Sequence, residues 1–181
     1  MGVSKSAILS IFITLPSDNC YSFGGNSTIE HQKFMTIALE EAKKGKDKGN
    51  AAIGSVIVCD DQVIGKGHNI VTTDGDITMH AEIAALRNAS LISGMSDFTG
   101  CILYTTMEPC MMCAGALVHS RISKLIFAVR DEKTGVIVSN NNFLDMNFLN
   151  HKVPYSEGPL GKQSSELLKE FFLSKREKPK C

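Results

Sequence analysis

Two short motifs, His80-Ala81-Glu82 and Pro109-Cys110-Met111-Met112-Cys113, constrain this chain more than any other feature. Together they supply one imidazole, one carboxylate and two thiols at Cys-x-x-Cys spacing. Imidazole and thiolate groups are ligands that zinc prefers in proteins. A fold that serves both motifs must bring two distant segments of the chain to one point.

Each motif is predicted to begin a helix. Apolar residues at helical spacing follow His80 until Ser93-Gly94, and Pro109 suits the approach to a first helical turn. Cys110 and Cys113 would then lie on one helix face, where the positive helix N-terminus favours the thiolate form. If the two N-termini face one another, His80, Cys110 and Cys113 form one set of metal ligands.

The number of ligands alone does not decide between a catalytic and a structural zinc site. Three protein ligands leave a fourth position for water, whereas a structural zinc has four protein ligands. His68, His119 or His151 could supply the fourth ligand. Glu82 favours the catalytic interpretation, because a carboxylate beside an open zinc site can take a proton from the bound water. A Cys-x-x-Cys pair by itself also occurs in redox motifs and in structural zinc sites.

The rest of the chain alternates between helix and strand patterns. Helices are predicted from residue 30, over 80–91, over 110–119 and over 164–175, and strands over 53–59, 63–69, 101–106 and 124–129. Such alternation predicts an α/β fold with the sheet in a middle layer.

Composition excludes little but sets the compartment. Lysine plus arginine and aspartate plus glutamate both count 19, so no overall basic field indicates a nucleic-acid partner. No apolar run approaches the length of a membrane span, so we expect no membrane association. The six cysteines are dispersed, and Cys59 and Cys101 lie in predicted strands, where reduced thiols behave as small apolar groups. We therefore expect a reducing, cytoplasmic location.

One domain is predicted over residues 31–176. Residues 1–30 form an N-terminal extension that contains a weak signal-peptide pattern and a possible myristoylation pattern, and both are short enough to arise by chance. Residues 177–181 form a basic C-terminal tail.

The two motifs together resemble the signature of the zinc-dependent cytidine and nucleobase deaminases. Longer blocks at 103–116, 119–122, 130–135 and 150–172 resemble the bacterial tRNA-specific adenosine deaminases, which form inosine at the wobble position. The resemblance implies a three-layer α/β/α fold with a central mixed sheet, one Zn²⁺ per chain and hydrolytic deamination. It also implies a homodimer and a tRNA anticodon stem-loop as the partner.

The resemblance also assigns roles to individual residues. Glu82 would move protons between water, the ring nitrogen and the leaving ammonia. Seven residues would contact the substrate: Asn69, the backbone of Ala81, Asp131, Lys133, Phe172, Lys175 and Arg176. Some have structural alternatives: Asn69 could end a strand, Phe172 could be core, and the last two could cap a helix.

Three segments depart from the family pattern. Asn50-Ala51-Ala52 stands where an acidic-Val-Pro run is usual, and Ile77-Thr78-Met79 where Pro-Thr-Ala is usual. A Gly-Ser and an Asp are usual where Val138-Ser139 and Asn140-Asn141-Asn142 stand. The departures leave two alternatives to tRNA deamination: a deaminase of a free nucleobase or nucleoside (of the cytosine or guanine type), and a non-catalytic zinc subunit of a hetero-oligomer.

Overall fold

The structure, a computed structural model, describes residues 28–176. The helices are α1 (Thr28–Asp47), α2 (Val71–Asp74), α3 (Ala81–Ser93), α4 (Met111–His119) and α5 (Gly161–Arg176). The strands are β1 (Gly54–Cys59), β2 (Gln62–His68), β3 (Ile102–Thr105), β4 (Lys124–Phe127) and β5 (Tyr155–Glu157). Most of the predicted N-terminal extension and the predicted basic tail lie outside these residues. Within 28–176, no helix is both long and apolar enough to cross a bilayer.

The five strands form one mixed sheet in the order β2-β1-β3-β4-β5. β1 runs antiparallel to β2 and to β3, while β3, β4 and β5 are parallel. The parallel pair β3 and β4 is joined through α4, the usual helical crossover. The α/β class with a central mixed sheet is therefore confirmed.

Side chains alternate between the two faces of the sheet, as the period of a strand requires. On one face Ile57, Leu103 and Leu125 pack with apolar residues of α3 and α4. On the other face Val56 and Tyr104 pack with apolar residues of α1. Helices thus cover both faces, and the three-layer arrangement follows from burying both.

Two short elements were not predicted from the sequence. α2 has only four residues and lies between the predicted strand over 63–69 and the predicted helix over 80–91, and β5 has only three residues. Both are shorter than the windows over which hydrophobic periodicity is informative. α1 also begins at Thr28, two residues before its predicted start.

The expectation that Cys59 and Cys101 are reduced thiols is wrong in this structure, where they form a disulfide with Cα atoms 4.4 Å apart. The pairing of β1 with β3 explains it. Val58 lies opposite Ile102, so the next pair along the ladder places Cys59 opposite Cys101. Such a Cα separation is within the range that a disulfide can bridge.

Candidate metal centre and active site

Two helix N-termini meet at the candidate site. His80 is the N-cap residue of α3 and Cys110 is the N-cap residue of α4, both with extended backbone angles. Cys113 lies in the first turn of α4. The prediction that each motif begins a helix is confirmed, and α4 follows the central strand β3 after the connection 106–110.

The three expected ligands lie close enough to share one ion. His80 Nδ1 is 3.6 Å from Cys110 Sγ and 3.7 Å from Cys113 Sγ. Tetrahedral zinc with ordinary Zn–N and Zn–S bond lengths separates its nitrogen and sulfur ligands by roughly 3.5 Å. The spacing of these donor atoms therefore fits a zinc ion.

The other histidines that could have closed the site are engaged elsewhere or exposed. His68 Nδ1 lies 3.0 Å from a carboxylate oxygen of Glu41, and His151 Nε2 lies 2.9 Å from the carbonyl oxygen of Ile122. His119 is exposed. Among residues 28–176 the ligand group contains only His80, Cys110 and Cys113, so a metal there would keep a position for water.

The protonation of the sulfur pair also fits a cation. The neighbouring Cys113 side chain lowers the pKa of Cys110 to about 4. The Cys110 side chain, together with burial, raises the pKa of Cys113. Cys110 also raises the pKa of His80. A divalent cation at these ligands would displace the remaining thiol proton and favour both thiolates.

Glu82 lies beside this group and is 4% exposed. Its Oε2 is 3.4 Å from Cys113 Sγ, and its Oε1 is 3.4 Å from the Thr105 hydroxyl, which in turn accepts a hydrogen bond of 2.9 Å from Ser55. Burial raises the pKa of Glu82, so the carboxyl group can hold a proton more readily than an exposed glutamate. Sequence reasoning missed Ser55 and Thr105, because only the β1–β3 register brings them behind Glu82.

Asn69 and Ala81 belong to the two chain segments that meet just before His80, where the Ile70 N–H donates to the Met79 carbonyl at 3.1 Å. Asn69 follows β2 directly, is 7% exposed, and accepts a hydrogen bond of 3.2 Å from the backbone N–H of Val71 through Oδ1. The Asn69 oxygen thus supports the turn at the end of β2, in line with the structural alternative that Asn69 ends a strand. Its Nδ2 makes no hydrogen bond with any residue between 28 and 176. Ala81 is fully buried as the first residue of α3.

Four of the other expected substrate residues line one cavity of about 700 Å³: Asp131, Lys133, Phe172 and Arg176. Its lining also includes Met107, three residues before Cys110 in the chain, and Val129. Phe172 is 52% exposed, so it is not a core residue. Lys175 is absent from the lining, and its Nζ lies 5.3 Å from the centre of the Phe171 ring.

The cavity and the metal ligands are connected through Glu108, a residue to which sequence reasoning gave no role. Its carboxylate is 3% exposed and accepts hydrogen bonds from residues 131–139. Burial alone would raise the pKa of Glu108, but the hydrogen bonds from Ser139, Val138 and Asp131 outweigh burial and lower it. The carboxylate is therefore ionised and fully occupied.

Comparison with known proteins finds relatives that are zinc-binding deaminases. Residues 28–129 match the cytidine and deoxycytidylate deaminase zinc-binding region. The chain is 45% identical to a tRNA-specific adenosine deaminase of Aquifex aeolicus over 77% of this chain and 91% of that one. It is 41% identical to that of Haemophilus influenzae over 82% and 87% of the two chains.

A solved structure from work on A-to-I editing by tRNA:A34 deaminases superposes with a TM-score of 0.73 at 35% identity, covering 76% of this chain and 99% of that one. The matches in sequence and in fold agree with each other. The chain belongs to the zinc-dependent cytidine and deoxycytidylate deaminase family and, within it, to the group of the tRNA-specific adenosine deaminases.

Proposed function

We propose that this protein hydrolyses adenosine to inosine, with release of ammonia, at the wobble position of tRNA. The observation that carries the proposal is a cavity lined by apolar and cationic side chains, one of which, Met107, stands three residues before the ligand Cys110. With His80 and Cys113, Cys110 forms the three-ligand group (the metal group). A strand of nucleic acid needs such a surface for its bases and phosphates, whereas a free base needs only the space above the metal.

The metal group would hold one zinc ion per chain through His80, Cys110 and Cys113. When bound, zinc supplies hydroxide at neutral pH for attack on the ring carbon that bears the amine. Glu82 would hold the proton released from water at a carboxylate oxygen and deliver protons to the ring nitrogen and to the leaving amine. Its burial and raised pKa support that role.

Substrate contacts divide between the site and the cavity. The free amide donor of Asn69 and the backbone at Ala81 would hold the target nucleotide. Around the cavity, Phe172 offers an exposed ring for base stacking, and Lys133 and Arg176 offer cations for phosphates. Asp131 and Lys175 complete the proposed set. Asp131 accepts a hydrogen bond of 3.0 Å from the Lys133 backbone, which fixes the turn that carries both side chains.

A tRNA pool incubated with the protein tests the substrate. We expect inosine at the wobble adenosine by mass spectrometry, with affinity for an anticodon stem-loop that falls as salt rises. Free bases and nucleosides are incubated in parallel. Ammonia from guanine or cytosine without inosine in any tRNA would refute the proposal in favour of free-base deamination. No turnover of either substrate, with equal RNA affinity in wild type and Glu82→Ala, would indicate a non-catalytic subunit.

Variants of the metal group separate binding from chemistry. Glu82→Ala should retain zinc and lose turnover by at least about 10²-fold, because general acid–base catalysis contributes that much or more. Cys110→Ser or Cys113→Ser should lose both zinc and turnover. Metal analysis of each purified variant provides the measurement, and zinc retained in both cysteine variants would contradict the ligand assignment.

The location and assembly follow from the proposed substrate and from the family. A tRNA substrate implies a cytoplasmic location. The homodimer stays a prediction from the resemblance. Light scattering during size-exclusion chromatography measures the mass in solution, and a mass of one chain would contradict the homodimer.

A further inference from the structure

The Glu108 carboxylate is the centre of a closed set of hydrogen bonds. Its Oε1 accepts from three successive backbone N–H groups, at 2.9 Å from Ile137, 2.8 Å from Val138 and 2.9 Å from Ser139. Its Oε2 accepts from the backbone N–H of Asp131 at 3.0 Å and from the Ser139 hydroxyl. The whole of segment 131–139 therefore turns around one side chain.

A buried carboxylate is stable only when donors replace its water. Here backbone donors occupy both oxygens, and successive N–H groups form the kind of concavity that binds anions. Hydrogen bonds to an ionised acceptor are roughly twice as strong as neutral ones. Removing the charge would thus weaken all five hydrogen bonds that hold this segment.

Gly135 shows how closely segment 131–139 encloses the carboxylate. A Cβ at this position would lie 2.5 Å from Glu108 Cδ and 2.6 Å from its Oε2. The same part of the segment is tied to the metal-ligand segment, because Gly135 pairs with Cys110 in an isolated β-bridge and the Val136 N–H donates to the Pro109 carbonyl at 3.1 Å. Glu108 therefore joins the segment that carries two ligands to the segment that lines the cavity.

We propose that Glu108 is a positioning residue that holds segment 131–139 where Asp131 and Lys133 meet the nucleic-acid substrate. The inference rests on the proposed function for the identity of that substrate. Within residues 28–176, the Glu108 side chain makes no hydrogen bond with His80, Cys110 or Cys113. Its effect passes through the segment, so it should appear in substrate binding and not in the chemical step.

Glu108→Gln is the first test. The glutamine oxygen can still accept from residues 137–139, but its amide group faces the Asp131 N–H as a second donor. We expect the KM for an anticodon stem-loop to rise about tenfold, as for loss of a hydrogen bond to a charged group, with kcat changed by less than about threefold. Zinc content should equal that of wild type.

Amide hydrogen exchange supplies a readout that needs no substrate. In Glu108→Gln the amides of 131–139 should exchange faster, while those of α4 stay protected. Glu41→Gln is the matched control, because Glu41 also carries a buried carboxylate. That carboxylate accepts a hydrogen bond from Lys44 and lies 3.0 Å from His68 Nδ1, and it makes no hydrogen bond to segment 131–139. Glu41→Gln should leave exchange in 131–139 unchanged.

A double-mutant cycle with Lys133→Ala tests the route of the effect. If Glu108 acts through the segment, Lys133→Ala should raise the KM less in the Glu108→Gln background than in wild type. Additive effects would overturn the proposal, as would unchanged exchange over 131–139 or zinc loss in Glu108→Gln. Should that variant fail to fold, Ser139→Ala removes one donor and leaves the carboxylate, and we expect a smaller rise in KM of about threefold.

These readouts separate the inference from the proposed function. Faster exchange over 131–139 with full zinc content supports the positioning role whichever substrate is turned over, and the KM is then measured on that substrate. Absence of inosine with the wild-type protein overturns the proposed function alone.

Discussion

The two segments that flank the metal group, 69–79 and 131–139, are held by different chemistry. Segment 131–139 surrounds the buried, ionised carboxylate of Glu108. Segment 69–79 depends on a neutral carboxamide: Asn50, which is fully buried, accepts from the backbone N–H groups of Thr72 at 2.9 Å and Thr73 at 3.1 Å. The Thr73 hydroxyl also lies 3.5 Å from the Asn50 oxygen, as a third and weaker donor. A charged acceptor with five donors fixes its segment more firmly than a neutral acceptor with three.

The difference explains which departures from the family pattern the fold tolerates. Four of the five donors to Glu108 are the backbone N–H groups of residues 131, 137, 138 and 139, which any residue except proline would provide. Val138 can therefore replace the usual glycine without removing a donor. Segment 69–79 is held by Asn50, which stands where an acidic residue is usual and also offers an oxygen to backbone N–H groups. Thr78, which the family shares, donates from its backbone to Asp76 at 2.8 Å.

The largest effect is expected where segment 131–139 has no spare room. Gly135→Ala would place a Cβ 2.6 Å from Glu108 Oε2 and 2.7 Å from the Asp131 carbonyl oxygen. Since neither atom can move without breaking the enclosed hydrogen bonds, we expect a loss of about 2 kcal/mol in the free energy of unfolding. Urea denaturation at pH 7 measures the loss.

Gly115→Ala is the matched control for this change. Gly115 lies in α4, and a Cβ there would meet nothing within 4 Å beyond the helix's own backbone. Alanine is a better helix former than glycine, so this variant should be at least as stable as wild type. Equal stability of the two alanine variants would mean that segment 131–139 can shift to accommodate the extra Cβ. In that case segment 131–139 would not be held more firmly than segment 69–79.

A smaller effect is expected at Asn50. Asn50→Ala deprives Thr72 of its acceptor, but the Thr73 N–H also lies 3.2 Å from the Ile70 carbonyl oxygen and keeps that partner. We expect a loss of about 1 kcal/mol in the free energy of unfolding, with cleavage by a protease between 70 and 79 before any within 131–139. Asn50→Asp retains the acceptor oxygen and should lose less than half as much.

Those two Asn50 variants can break the comparison. If Asn50→Ala costs as much as Gly135→Ala, the neutral anchor is as strong as the charged one. If Asn50→Asp is as unstable as Asn50→Ala, the oxygen is not what holds segment 69–79, and the buried environment rejects the family's usual charge.

The grouping of His80, Cys110 and Cys113 could be predicted from sequence because its signals are local. Pro109 and the Cys-x-x-Cys spacing fix where α4 begins, and His80 precedes an apolar helical pattern that runs to Ser93. Helix N-termini and ligand spacing depend on neighbouring residues alone. Only the proximity of the two helix N-termini could not be predicted without the three-dimensional structure.

The residues that support the centre could not be found in that way. Glu108 contacts Ser139 across 31 positions, and Ser55 contacts Thr105 across 50. The Cys59–Cys101 pair likewise depends on the register between β1 and β3. Contacts of this kind follow from strand order and loop closure, which composition and periodicity do not encode. The position of Lys175, away from the cavity, also depends on the rotation of α5 about its axis.

The smallest effect is expected at Glu41, and it tests whether a charged residue outside segment 69–79 also helps to hold that segment. Glu41 of α1 accepts from Lys44 at 2.7 Å and lies 3.0 Å from His68 Nδ1, one residue before Asn69. Burial would raise the pKa of Glu41, but the hydrogen bonds with Lys44 and His68 lower it. A carboxyl group whose pKa is lower in the folded state stabilises the protein above its unfolded pKa, about 4.3, and this contribution disappears as the pH falls through the folded value.

Glu41→Gln should therefore cost somewhat less than about 1 kcal/mol at pH 7, because Lys44 is largely exposed and its charge is screened. The cost should shrink between pH 5 and pH 3, since protonation removes the same charge from the wild-type protein. Urea denaturation of both proteins at several pH values measures the difference, and the exposed Glu40→Gln is the control, expected to change stability by less than about 0.5 kcal/mol. A cost that stays constant or grows on acidification would show that Glu41 contributes through packing, and segment 69–79 would then rest on neutral contacts throughout.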